Sequence, residues 1–144
     1  MDQRLYLITL GVSDLGRAID FYENVLGWKK AQSPDGVAFF DLNGMIFGLF
    51  PHAELAKDMK IPAETLSNYR GFTLALNLRS KDEVDRLFAE LADKGVAIIK
   101  QPEQVFWGGY SGYFADIEGN HWDVAFNPFW SVLPDGRMSM SPPK

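Results

Sequence analysis

Apolar positions recur along this chain in two alternating rhythms, and each rhythm occurs twice. Ile8, Leu10 and Val12 are spaced by two, as a strand requires, and so are Leu74, Leu76 and Leu78. Helical spacing follows each. In "SDLGRAIDFYENVLGW" Ser13 or Asp14 can cap a helix whose apolar face is Ala18, Phe21, Tyr22 and Val25, with Gly27 as its stop. In "RSKDEVDRLFAELADKGV" Ser80 can cap, Val84, Leu87, Phe88 and Leu91 form the face, and Gly95 stops it. A shift of 66 residues lays the first strand and helix face on the second. Downstream, "FDLNGMIFGLF" (40–50) lies on "ADIEGNHWDVA" (115–125) with a shift of 75, so that Asp41 meets Asp116, Gly44 meets Gly119, Phe47 meets Trp122 and Leu49 meets Val124.

Each half therefore reads strand, helix, then short strands ending in a hairpin. One half cannot cover both faces of its own sheet, so two copies are expected to pack side by side in an α+β fold. Module one is expected at about 5–51, a linker at about 52–70, module two at about 71–127 and a tail at 128–144. The linker reads as partly helical, and His52 within it as a surface residue. The stretch 100–113 is rich in aromatic residues and glycine. The tail opens apolar and ends in small, polar and proline residues, which predicts flexibility.

Composition narrows the function classes. At 144 residues the chain is expected to form one domain. An apolar content of 47% argues against disorder, yet no apolar run approaches the roughly 20 residues of a membrane span. The N-terminus lacks the pattern of a secretory leader, so a soluble, cytoplasmic protein is expected. The absence of cysteine excludes disulfide scaffolds, thiolate zinc sites and cysteine nucleophiles. A net charge of −5, without a basic stripe, disfavours nucleic acid. "GGYSG" sits among strands and is no phosphate loop, and no serine stands in a nucleophile elbow.

The remaining chemistry lies near the C-terminus. On the last predicted strand His121, Asp123 and Ala125 share one face, and Trp122, Val124 and Phe126 the other. A histidine and a carboxylate side by side are either half of a metal site or the polar wall of a pocket. Trp28 and Trp122, beside the helix faces, are expected in the core.

The paired modules, "GVSDLGRAIDFYENVLGW" and the closing "FADIEGNHWDVAFNPFW" resemble the vicinal oxygen chelate superfamily, the group of glyoxalases, bleomycin resistance proteins and extradiol dioxygenases. "FWGGYSGYFAD…GNHWDVAFNPFW" looks like a glyoxalase-related branch without an assigned reaction. The resemblance implies two tandem βαβββ modules forming a curved, cup-shaped, eight-stranded mixed sheet with helices outside. In its metal-dependent members four strand residues bind a divalent ion that acts as a Lewis acid on the substrate's oxygens. Carried through the repeat, those four positions are Leu7, Gly48, Thr73 and Asp123. Leucine and glycine offer no donor, threonine a poor one, so no metal and no cofactor are expected; a divalent ion is the alternative.

The expected cup lining is then Leu7, Thr9, Gly48, Phe50, Thr73 and Asn77, with Trp107, Tyr110 and Tyr113 from the glycine-rich stretch as further ligand contacts. Asp123 is the candidate acid/base or acceptor, with His121 its neighbour. Two functions follow. One is a metal-independent protein binding a small apolar or aromatic molecule. The other is an enzyme of the lyase, isomerase or dioxygenase type, metal-dependent or using Asp123. A homodimer is expected from the sheet edges and the aromatic tail.

Overall fold

The computed structural model describes residues 3, 7–58, 60, 62–64, 70 and 72–143. The chain falls into two compact units, 1–66 and 67–144. In the first, β1 (Leu7–Val12) leads into α1 (Leu15–Asp20), a π-helical turn (Phe21–Val25), β2 (Ala38–Asp41), β3 (Ile46–Pro51) and α2 (His52–Asp58). The sheet order is β1-β3-β2, with β1 parallel and β2 antiparallel to β3. Asp14 is the cap: its carboxylate accepts the Arg17 N–H at 2.9 Å. Past Asp20 the helix widens, and the Leu26 N–H reaches the Phe21 carbonyl at 3.1 Å. That turn holds both Phe21 and Tyr22 in the core. Tyr22, Trp28, Phe40 and Phe47 form an aromatic cluster, with Tyr22 and Phe47 centroids 4.9 Å apart.

Only three of the four strands expected in module one form among the described residues. The missing one would lie at about 28–33. There the Ala31 N–H bonds the Phe39 carbonyl at 2.8 Å. The return bond is taken by a side chain: the Ser33 hydroxyl accepts the Phe39 N–H at 3.0 Å and donates to the Ala31 carbonyl at 2.9 Å. A hydroxyl in the ladder ends it.

The second unit contains β4 (Leu74–Leu78), α3 (Lys81–Asp93), β5 (Ala97–Gln104), β6 (Tyr110–Ala115) and β7 (His121–Phe126), in sheet order β4-β7-β6-β5. Here all four strands are present. The Ser80 hydroxyl caps α3 by accepting the Glu83 N–H at 3.2 Å, and both residues lie 66 positions beyond Asp14 and Arg17. Val84, Phe88 and Leu91 are buried, as are Phe114, Trp122 and Val124 on the strands; the Phe114 and Trp122 rings stack at 5.9 Å. Gly112 leaves room for Phe88, whose Cζ would stand 2.7 Å from a Cβ at that position.

The two hairpins share their turn chemistry. Asp41 accepts the Asn43 N–H at 2.9 Å, and Asp116 accepts those of Glu118 at 2.9 Å and Asn120 at 2.8 Å. Gly44 and Gly119 supply the positive φ of 112° and 79° that these turns need. The 75-residue shift holds from the turns onward and fails before them. Phe39 pairs with Gly48 whereas Tyr113 pairs with Asp123, so the second turn carries one extra residue. Phe40 is therefore not the counterpart of Ala115.

The tail also differs from expectation, because β8 (Ser131–Val132) and β9 (Met138–Ser139) form a hairpin. The Arg79 guanidinium donates to the Leu133 carbonyl beside it at 3.1 Å. Within the expected linker α2 covers 52–58, and much of 59–71 lies outside the described residues. Among the described residues no helix is long and apolar enough to cross a membrane.

Candidate functional site

Strand alternation sorts the first sheet into two faces. Leu10, Val12, Phe40, Phe47 and Leu49 are buried in the core. Leu7, Thr9, Gly48 and Phe50 alternate with them on the opposite face, where Thr9 and Phe39 flank Gly48 from its two neighbouring strands. A Cβ at Gly48 would lie 3.2 Å from the Thr9 Oγ1 and 3.3 Å from the Phe39 Cε1. The space a ligating side chain would need at Gly48 is thus held by an aromatic ring. At the end of this face α2 lies over Gly11, whose Cβ would meet the His52 Nδ1 at 3.0 Å. His52 is half-buried and its Nε2 pairs with the Glu64 carbonyl at 2.6 Å in an exposed contact.

The second sheet carries the polar chemistry. Its register sets Ala75, Asp123, Tyr113 and Lys100 in one row across β4, β7, β6 and β5. Tyr113 pairs with Asp123 across β6 and β7, its phenol near enough to act on the carboxylate. The Asp123 Oδ1 is buried and has no hydrogen-bond partner. Burial raises the Asp123 carboxyl above its usual 3.8, against the opposing pull of the Tyr113 phenol and the Lys100 charge. Burial, then the charge of Asp123, raises the Tyr113 phenol above 10.0. Lys100 is held by Glu103 at 3.0 Å. A carboxylate with a buried, unpartnered oxygen, beside a phenol that keeps its proton, can accept a hydrogen bond or a proton from a bound molecule.

The other expected residues divide. His121 shares the face of Asp123 and pairs with Ala115, and Asn77 pairs with Ala125. Thr73 is exposed just before β4. Tyr110 does not join them. It lies three residues before Tyr113, on the other side of the strand; its hydroxyl donates to Asp85 of α3 at 2.8 Å, and Lys81 of that helix sits over its ring. Trp107 stands in the β5–β6 turn, its indole filling the space over Gly109. Sequence reasoning missed Phe39, Lys100, Glu103 and Ser111. Ser111 shares the Tyr113 face by alternation and could have been found; the β5 pair is hidden by irregular pairing on either side of Lys100.

These residues do not fit a resident divalent ion. In the first unit Leu7 and Gly48 supply no donor, and Gly48 is blocked by Phe39. In the second, Asp123 and the hydroxyl of Thr73 fall short of the three or more strong donors such an ion needs. Among the described residues no cluster of three histidine or acidic side chains is placed to hold a metal.

Comparison with known proteins gives the following. Residues 4–124 match the Glyoxalase/Bleomycin resistance protein/Dioxygenase superfamily. The chain is 31% identical over 121 residues to metallothiol transferase FosB of Lysinibacillus sphaericus (strain C3-41), covering 84% of this chain and 80% of that protein. A glyoxalase-related enzyme from Fulvimarina pelagi superimposes with a TM-score of 0.85 at 28% identity, over 97% of this chain and 99% of the other. Lactoylglutathione lyase from Agrobacterium tumefaciens gives 0.69 at 22% identity, over 88% and 95% respectively, a likeness of fold.

Proposed function

Because the chain belongs to the Glyoxalase/Bleomycin resistance protein/Dioxygenase superfamily, we propose that it binds a small apolar or aromatic molecule carrying a hydrogen-bond donor. Asp123 anchors that donor, and no metal ion takes part. The observation that carries this reading is the buried Asp123 Oδ1 without a partner. An acceptor desolvated and left open costs stability, and a donor from a bound molecule offsets it. Tyr113 and His121 flank that acceptor on the sheet of the second unit, which carries the site in this reading.

The test is calorimetric titration of a panel of phenols, anilines and aromatic amides into wild type and Asp123→Ala. Loss of one charge-assisted hydrogen bond should weaken binding by about ten- to a hundredfold. A variant that binds every panel member as wild type does removes Asp123 from the site. A homodimer belongs to the same reading, supported by exposed Phe106, Phe129 and Trp130; a monomer mass in light scattering would exclude it.

A second reading, an enzyme of the lyase, isomerase or dioxygenase type, is favoured by the Asp123–Tyr113 pair. The carboxylate would take a proton from the substrate, and the phenol would donate to the oxygen on which charge develops. The relative named as a metallothiol transferase extends the enzyme reading to group transfer. Elemental analysis of protein purified without chelators separates the cases, since a stoichiometric divalent ion overturns the metal-free proposal.

A further inference from the structure

Residues 28–33 run beside β2 and are tied to it through Ala31 and Ser33, both of which bond Phe39. In the second unit the corresponding strand, β5, pairs with β6 from Ala97 to Gln104, with irregularities on either side of Lys100. In the first unit a cavity of about 580 Å³ lies where residues 28–33 meet the β2–β3 hairpin, walled by Phe39, Phe40, Met45 and Ile46, with Gln32 and Asp41 as its polar side chains. A second cavity of about 420 Å³ shares Ala31 and Asp41 with it and is bordered by Lys29, Lys30 and Asn43.

We propose that the larger cavity, with the lysines beside it, is a second small-molecule site, built for a compact anion with an apolar body, such as an arene or short acyl chain bearing a carboxylate or sulfonate. The larger volume suits such a body, being within the range of ordinary ligand pockets. Of the three charged groups on the walls, two are ammonium groups. The third, Asp41, already accepts the Asn43 N–H at 2.9 Å, which draws on its charge. The balance favours an anionic head between Lys29 and Lys30, with the apolar part against Phe39 and Met45. Lys29 is exposed and Lys30 half-buried, so the attraction is modest and falls with added salt. The proposal does not depend on the Asp123 reading, because it uses none of the residues of the second unit.

The experiment is a titration of the ¹⁵N-labelled full chain, followed by amide shifts, with 1-anilinonaphthalene-8-sulfonate and its uncharged analogue N-phenyl-1-naphthylamine. Shifts are expected at Ala31, Gln32, Asp41, Gly44 and Met45. The sulfonate should bind about three- to tenfold more tightly than the neutral amine. The variant Lys29→Glu/Lys30→Glu should abolish that preference while leaving distant amides unmoved, and Met45→Trp, which fills the cavity, should abolish binding of both probes. The proposal is overturned by an absence of shifts, by equal affinity of the two probes, or by a charge preference that survives the lysine reversal. Shifts confined to residues 111–115 and 121–125 overturn it too while supporting a site at Asp123, so the two readings fail separately.

Discussion

Replacing Asp123 by Asn keeps the shape of the side chain and removes its charge. In the native state the carboxyl holds its proton more tightly than in the unfolded chain, because burial raises it above 3.8. The folded protein therefore binds more protons than the unfolded one as pH climbs through the window above that value. Stability falls with rising pH there, and the penalty is complete once the pH exceeds the folded-state value. Asparagine has no such titration. It can still pair with Tyr113, and the group it leaves unpartnered is neutral. Stranding a buried polar group costs about 1–3 kcal/mol, more when it is charged. A gain of about 1 kcal/mol at pH 7 is therefore expected from the substitution, a rise in Tm of about 2–5 °C for a chain of this size. Urea unfolding of both proteins at pH 7 and at pH 3.5 provides the measurement. The variant should be the more stable at pH 7, and its advantage should shrink at pH 3.5. A less stable variant at pH 7, or a difference of equal size at both pH values, refutes the argument that an uncompensated charge resides at Asp123.

Other substitutions probe the scaffold. Gly112→Ala sets a methyl 2.7 Å from the Phe88 Cζ and 2.8 Å from the Lys100 carbonyl, so a loss of about 1–3 kcal/mol in denaturant unfolding is expected. Asp116→Ala removes the acceptor of the Glu118 and Asn120 N–H groups and of the Asn120 amide. It should cost about 2–4 kcal/mol, while Asp41→Ala, with one such bond recorded at an exposed turn, should cost about 1 kcal/mol or less by the same assay. Ser33→Ala strips the Phe39 N–H of its acceptor; that amide should exchange with deuterium faster, with stability lowered by about 1 kcal/mol.

Much of the fold was legible in the sequence because its signals are local. A capping residue, an apolar face and a turn aspartate each act within four positions, and the doubled spacing shows them twice. The parallel pairing of Thr9 with Gly48 and of Ala75 with Asp123 follows from the module pattern once the repeat is seen. Less legible was whatever depends on one residue more or less. An extra residue in the second turn moves the register by one, which no apolar pattern announces. Irregular pairing in β5 carries Lys100 onto the face of Tyr113 although plain alternation does not predict it. Tyr110 was grouped with Tyr113 by composition, and strand parity alone separates them. The lost strand of module one rests on a single hydroxyl at Ser33, a side chain that reads as ordinary loop chemistry.

The repeat pairs Gly48 with Asp123, and no two positions in it differ more in chemistry, yet both strands keep the same partners. That is affordable because the residues that make the modules fold sit at element ends: Asp14 and Ser80 at helix starts, Asp41 and Asp116 in turns, Gly44 and Gly119 where φ is positive. None of them is a member of the row that holds Asp123. A lineage can thus rewrite that row without re-solving its folding problem, which is how one architecture comes to host unrelated chemistries. The freedom is unequal between the copies. A new ligating side chain at 123 enters a place already built for one, whereas at 48 it must first evict Phe39. In this chain, innovation has an open door in the second module and a closed one in the first.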